Sequence, residues 1–92
     1  MTLATALFGA GVKSVQTGTI VIVSTTLTNT ATISSVNTAK SVVLFGGWTT
    51  DNSSGSLLFA PYLTLTNATT VTATRSTISN TTTVSYTVLE FY

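Results

Sequence analysis

The sequence predicts an all-β domain, an antiparallel β-sandwich of about six strands that follows an N-terminal arm. Threonine, valine, isoleucine and tyrosine favour the half-buried surface of a sheet, and threonine alone occurs 23 times in the 92 residues. No stretch repeats its apolar residues with the period of a helix. Short alternating runs instead follow one another at regular spacing, separated by Gly, Asn, Ser and Pro.

The N-terminal part divides into an arm and a first strand. Residues 1–13 are predicted to be a flexible arm, because glycines interrupt a mildly apolar stretch. The β domain then covers residues 14–92 and begins with a strand at Ser14–Val23. The end of this strand, Ile20–Val23, is apolar on both faces. Such a run suits a strand that is covered on both sides and aggregates at an edge, so we expect it at the centre of a sheet.

The second strand shows the clearest alternation. Within Thr25–Ser34, apolar side chains at Leu27, Ala31 and Ile33 share one face, and threonines share the other. Asn29 interrupts the apolar face, which indicates a bulge or a contact with a loop.

The third strand is predicted at Ser41–Phe45. It follows a turn at residues 37–40 and ends at Gly46-Gly47. Trp48–Pro61 is then the longest irregular stretch, with a dense turn signal at residues 51–55.

Three more strands complete the predicted sandwich. Tyr62–Asn67 resumes the β pattern, and Val71–Ser76 follows with Val71, Ala73 and Arg75 on one face. After a turn at Ser79-Asn80, Thr81–Tyr92 closes the chain. Its inward face is expected to carry the residues Val84, Tyr86 and Val88.

The charge content favours a subunit of an assembly. The only charged residues are Lys13, Lys40, Asp51, Arg75 and Glu90, and the net charge is +1. Three isolated basic residues form no patch for nucleic acid. A nearly uncharged chain associates more readily than it stays dispersed, although the many hydroxyl groups could instead keep a monomer in solution. No apolar run is long enough to span a bilayer, and Lys13 follows the apolar stretch that a signal peptide would place after its basic residues.

The residue types leave little room for catalysis. The chain has no His and no Cys, so the usual general base, the nucleophilic triads and the common metal clusters are all missing. Asp51 and Glu90 could in principle form a glycosidase pair, but we interpret Asp51 as a turn residue and Glu90 as an ordinary strand residue. We therefore expect no enzyme, no cofactor and no metal.

Several apolar and polar side chains remain as candidates for contacts with a partner. A tryptophan in a loop beside polar groups suits a sugar-stacking site or a protein–protein contact, but Trp48 could equally close the end of the sandwich. Aromatic residues at the C-terminus suggest packing into the core or a neighbour. The candidate partner-binding residues are Leu3, Leu7, Phe8, Lys13, Trp48, Asp51, Asn52, Phe59, Phe91 and Tyr92.

Three stretches of the chain resemble small, threonine-rich structural proteins of tailed bacteriophages. They are Val12–Ile20, Ala31–Asn37 leading to Lys40–Val43, and Thr83–Phe91. The order of the elements over residues 12–92 also resembles the H-type lectin fold, a six-stranded antiparallel sandwich that assembles as trimers.

The resemblance implies a component of the virion. One expected role is a capsid decoration or cement protein on the outer capsid surface, a homotrimer that binds the major capsid protein. The alternative is a receptor module of the tail that binds a host surface glycan. A chain that starts at Met1 and carries an arm for a neighbouring subunit favours the capsid. The lectins bind sugar through His and charged residues that have no counterpart here, so no ligand residues are transferred.

Overall fold

The computed structural model of the chain describes residues 11–51, 60–78 and 80–92, and it confirms the predicted β-sandwich. Two three-stranded antiparallel sheets pack face to face. The strands, in chain order, are β1 Val12–Ile22, β2 Thr28–Thr32, β3 Ser41–Thr50, β4 Tyr62–Asn67, β5 Thr70–Thr74 and β6 Thr82–Phe91. A short 3-10 helix, Thr38–Lys40, leads into β3, and the Asn37 side chain accepts a hydrogen bond from the N–H of Ala39 at its start.

The longer sheet has the order β1-β6-β3, and the shorter sheet has the order β2-β5-β4. The hydrophobic core lies between them, because every second side chain of β6 and of β5 points inward. The buried core residues are Ile20, Ile22, Ile33, Val36, Val71, Ala73, Val84, Tyr86 and Val88. The predicted inward face of β6 is thus confirmed, and Val71, Ala73 and Arg75, which were predicted to share one face, are all buried.

The predicted central position of the first strand is wrong. β1 pairs with β6 alone, so it is an edge strand of the longer sheet. Ile20 and Ile22 enter the core, but Val21 is 41 % and Val23 50 % exposed. The apolar run reflects the preference of β-branched residues for β-strands. This preference holds even where one face of the strand is exposed.

β3 is longer than predicted, because Gly46-Gly47 does not end it. Phe45 lies opposite Tyr86 and Trp48 opposite Val84, so two glycines face the single residue Ser85. This is a β-bulge, and the positive φ of Gly47, 110°, is a conformation that suits glycine. The strand then continues to Thr50.

The position of Asn29 also has a structural reason. It lies in β2, and its side-chain amide donates a hydrogen bond of 2.8 Å to the carbonyl oxygen of Val21 in β1. The predicted interruption of the apolar face is therefore a polar link between the edges of the two sheets. Thr28, Thr30 and Thr32 face outward from β2 as predicted, whereas Leu27 precedes the strand and is exposed.

Candidate functional site

Trp48 lies in β3 and not in a loop as predicted. The bulge adds one residue to β3, which turns the side chain of Trp48 to the core side of the sheet. Its indole is partly buried and packs against the core residues. Trp48 was predicted either to close the end of the sandwich or to form an exposed stacking surface. Its burial supports the first of these two interpretations.

Asp51 ties the end of β3 to the start of β6. Its N–H donates to the carbonyl oxygen of Thr81 at 3.1 Å, and its carboxylate accepts from the N–H of Thr81 at 2.9 Å. The carboxylate thus stabilises the backbone, as the interpretation of Asp51 as a turn residue predicts. Asn52 and Phe59, which were candidate neighbours of Trp48, lie outside the described residues, as do Leu3, Leu7 and Phe8.

Glu90 occupies the opposite end of β6 and is buried. Its carboxylate accepts hydrogen bonds from the N–H of Asn37 at 2.8 Å and from the hydroxyl of Ser14 at 3.2 Å. The Lys13 ammonium lies 3.9 Å away, on a side chain that is 54 % exposed. The N–H of Asn37 lowers the pKa of Glu90 below its ordinary value of 4.5; burial opposes this shift, and Ser14 and Lys13 add to it.

The two carboxylates are too far apart to act as a glycosidase pair. Asp51 pairs with Thr81, which precedes β6, whereas Glu90 lies near the end of that strand. The length of an extended strand puts them about 30 Å apart, and a glycosidase pair needs about 5–9.5 Å.

Arg75 is the polar centre that the sequence did not single out. It is 2 % exposed at the end of β5, on the same face as Val71 and Ala73. Its guanidinium donates to the carbonyl oxygens of Val23 and Thr26 at 2.9 and 3.0 Å, to the hydroxyl of Thr82 at 2.9 Å, and to the carbonyl oxygen of Asn80. The signal in the sequence was its spacing: Arg75 follows Val71 and Ala73 at every second position, so it lies on the same inward face.

No cavity is found among residues 11–51, 60–78 and 80–92. In the same ranges, no three His, Cys, Asp or Glu side chains come together as metal ligands. The part of the chain that the structure describes also holds no helix long and apolar enough to cross a membrane.

The outward face of the β2-β5-β4 sheet consists of hydroxyl groups. The three strands lie in register, so their outward side chains form cross-strand rows, and the Thr66 and Thr72 hydroxyls are hydrogen-bonded to each other. The side chains of this face are Thr28, Thr30, Thr32, Tyr62, Thr64, Thr66, Thr70, Thr72 and Thr74. Such a surface is well suited to contact with water.

The outward face of the β1-β6-β3 sheet is different, and we call it the mixed face. Half of the residues named here are apolar and half are Thr or Ser, and the exposed Lys13 of β1 borders the face at its Phe91 end. Its residues are Val15, Thr17, Thr19, Val21, Val42, Leu44, Thr49, Thr83, Ser85, Thr87, Leu89 and Phe91. Phe91 is half-buried here, while Tyr92 beyond it is 66 % exposed. This face is the candidate interaction surface.

Comparisons with known proteins find no relative: no family model matches the chain, and no curated protein or solved structure is detectably similar to it. The resemblance to phage structural proteins and to the H-type lectin fold therefore stays a prediction.

Proposed function

We propose that this protein is a virion structural protein, a capsid decoration protein that binds the assembled lattice of the major capsid protein as a homotrimer and stabilises it. The mixed face supports this proposal. It exposes Val15, Val42 and Leu44, and its only charged neighbour is Lys13 at one end, so little solvation is lost when a partner covers it. The near absence of charge in the whole chain, five residues of 92, supports an assembled state as well.

The mechanism of such a protein is thermodynamic and needs no reaction. A trimer that bridges shell subunits binds the assembled lattice and not the separate subunits, so its binding free energy adds to the stability of the lattice. Several weak contacts per trimer add avidity, and the apolar residues Leu3, Leu7 and Phe8 of the arm are candidates for some of them. The threonine face of the β2-β5-β4 sheet would then meet water.

The alternative, a glycan-binding receptor module of the tail, has less support. It was expected to use Trp48 as an exposed ring beside polar groups, whereas Trp48 packs against the core and the Asp51 carboxylate accepts a hydrogen bond from the backbone of Thr81.

The test is the copy number of the chain in virions of the virus that encodes it, measured by quantitative mass spectrometry. We expect about one copy for each copy of the most abundant shell protein, because a lattice-binding trimer follows the symmetry of the shell. A ratio of a few per cent would contradict decoration and favour the tail. Absence from virions would contradict both.

Heads that lack the chain provide the matched control. They are expected to release their DNA at a lower temperature than complete heads, and the purified chain is expected to restore the higher temperature. Equal release temperatures with and without the chain would contradict the stabilising role even at a high copy number.

A further inference from the structure

We infer that the mixed face is the surface on which a second copy of this chain packs. The inference rests on the proposed function, and it specifies where the copies of the homotrimer meet.

The apolar residues of the mixed face are contiguous. Val15 in β1, Leu89 in β6 and Val42 in β3 lie directly opposite one another in register and form one row across all three strands. Leu44 lies one outward position further along β3, and Phe91 one outward position further along β6. Val15 is 57 %, Val42 37 % and Leu44 45 % exposed, so the row faces solvent in the isolated chain.

The outward face of the second sheet has the same geometry and a different chemistry. Positions equivalent to the apolar row carry threonine there, as in the cross-strand row Thr30, Thr72 and Thr64. Threonine and valine have nearly the same shape, and both favour strands. Because threonine would serve equally well for folding, the apolar side chains of the mixed face are best explained by a partner that removes them from water.

The charge distribution favours a copy of the same chain as this partner. The rows of the mixed face from Val15 to Val21 carry no ionisable side chain, and the one charge at its border, Lys13, lies 3.9 Å from the Glu90 carboxylate. Copies of this face therefore repel one another little, and the net charge of each copy is only +1. Nucleic acid, or a strongly charged protein surface, would instead require complementary charges on this face.

The size of the face also fits a self-association surface. Three strands span about 14 Å, and the ten residues of β6 span about 34 Å, which gives a projected area of about 500 Å². Side-chain relief increases this area towards the ~800 Å² that each partner contributes to a standard interface. The apolar row alone is too small, so the contact must use most of the face.

The test is the mass of the full chain in solution, measured by light scattering after size exclusion over a range of concentrations. The unsubstituted chain is expected at about three times the monomer mass of 9.5 kDa. Val42→Lys and Leu44→Lys each place a charge in the contact and are expected to raise the dissociation constant about thirtyfold or more, as the loss of a strong interface residue does. Thr30→Lys and Thr64→Lys are the matched controls on the other face, and they should leave the mass unchanged.

A gentler variant separates association from folding. Val42→Thr gives the mixed face the chemistry of the threonine face, and it is expected to weaken association with an unchanged circular dichroism spectrum. The inference is overturned if the unsubstituted chain is a monomer at every concentration, if the two pairs of lysine variants behave alike, or if Val42→Lys leaves the mass unchanged. If residues 1–10 of the same copy covered the mixed face, the unsubstituted chain would be a monomer and Val42→Lys would leave its mass unchanged.

These outcomes are independent of the copy number in virions. If the chain is a monomer and is abundant on heads, the inference is overturned and the decoration role stands. If the chain is a trimer and is absent from virions, the decoration role is overturned and the self-association surface stands.

Discussion

Gly18 lies directly opposite Tyr86, and the two residues show how one position without a side chain shapes the core. The ring of Tyr86 covers Gly18: a Cβ atom built on this glycine would lie 2.5 Å from Oη, 2.7 Å from Cζ and 2.9 Å from Cε2 of the tyrosine. Tyr86 is 7 % exposed, so its ring has little space to move away. The glycine is therefore needed for the close packing of the tyrosine and not for a special backbone conformation.

Gly18→Ala is expected to lower the free energy of unfolding by about 1–3 kcal/mol, because the added methyl group overpacks the core. Urea unfolding measures this change. In a Tyr86→Phe background, the same substitution should cost less, since the atom nearest to the new methyl group is gone. Thr30→Ala, at an exposed position of β2 in the other sheet, is the control and should change the stability by no more than about 0.5 kcal/mol. Equal costs of Gly18→Ala in both backgrounds would contradict the contact with Oη.

At the scale of elements, Arg75 joins parts of the chain that are distant in sequence. Its guanidinium connects the end of β5 with the β1–β2 connection at Val23 and Thr26, with Asn80, and with Thr82 at the start of β6. Its backbone N–H also donates to the carbonyl oxygen of Leu27 at 2.8 Å. The planar fork of donors in arginine suits several acceptors that converge in this way.

Arg75→Met is expected to lower the free energy of unfolding by about 2–4 kcal/mol, because buried acceptors lose their donors. The free energy of unfolding of Arg75→Lys should lie between those of the unsubstituted chain and Arg75→Met, since lysine keeps the charge but reaches fewer acceptors. Chemical denaturation distinguishes the three proteins. Lys40→Met removes a charge from an exposed position and is the matched control, with an expected change within about 0.5 kcal/mol. If the Arg75 and Lys40 variants were equally stable, the connecting role would be refuted.

The elements also show what can be predicted from this sequence. Alternation of apolar and polar residues identified the strands from Tyr62 onward, because in β5 and β6 one face is buried along the whole strand. It failed at Gly46-Gly47, since a bulge and a turn have the same residue signal, and the bulge decides which way Trp48 points. The order of the strands could not be predicted either. A run such as Ile20–Val23 is apolar on both faces, and this pattern alone does not show whether the strand is central or at an edge.

The candidate surface was predictable only in part. Phe91 is among the predicted partner-binding residues, which stay a prediction. Val15, Val42, Leu44 and Leu89 are not among them, because their common face depends on the pairing of three strands that are distant in sequence.

For the whole molecule, the response to acid depends on few groups. Asp51 and Glu90 are the only side-chain carboxylates, and the pKa of Glu90 is lowered in the folded chain. A lowered pKa stabilises the folded state above the ordinary value of 4.5, and this contribution is lost as the pH falls through the lower pKa of the folded protein. Stability is therefore expected to decline below pH 4.5.

Glu90→Gln tests this origin of the acid response. The denaturation midpoint of the unsubstituted chain should fall between pH 7 and pH 3, and the variant should show a smaller fall, because its amide does not titrate. Parallel declines of the two proteins would show that another group is responsible.

The bulge in β3 also bears on how far copies of this chain can stack. A cross-β fibre grows when every strand edge is a straight template for the next chain. Here β1 offers a regular edge from Ser14 to Ile22, but Gly46 and Gly47 bend the other edge of the same sheet. One end of such a stack could add a strand while the other would interrupt it. In a chain so rich in β-branched residues, the bend at Gly46 and Gly47 thus opposes edge-to-edge growth of the native sheet on the β3 side.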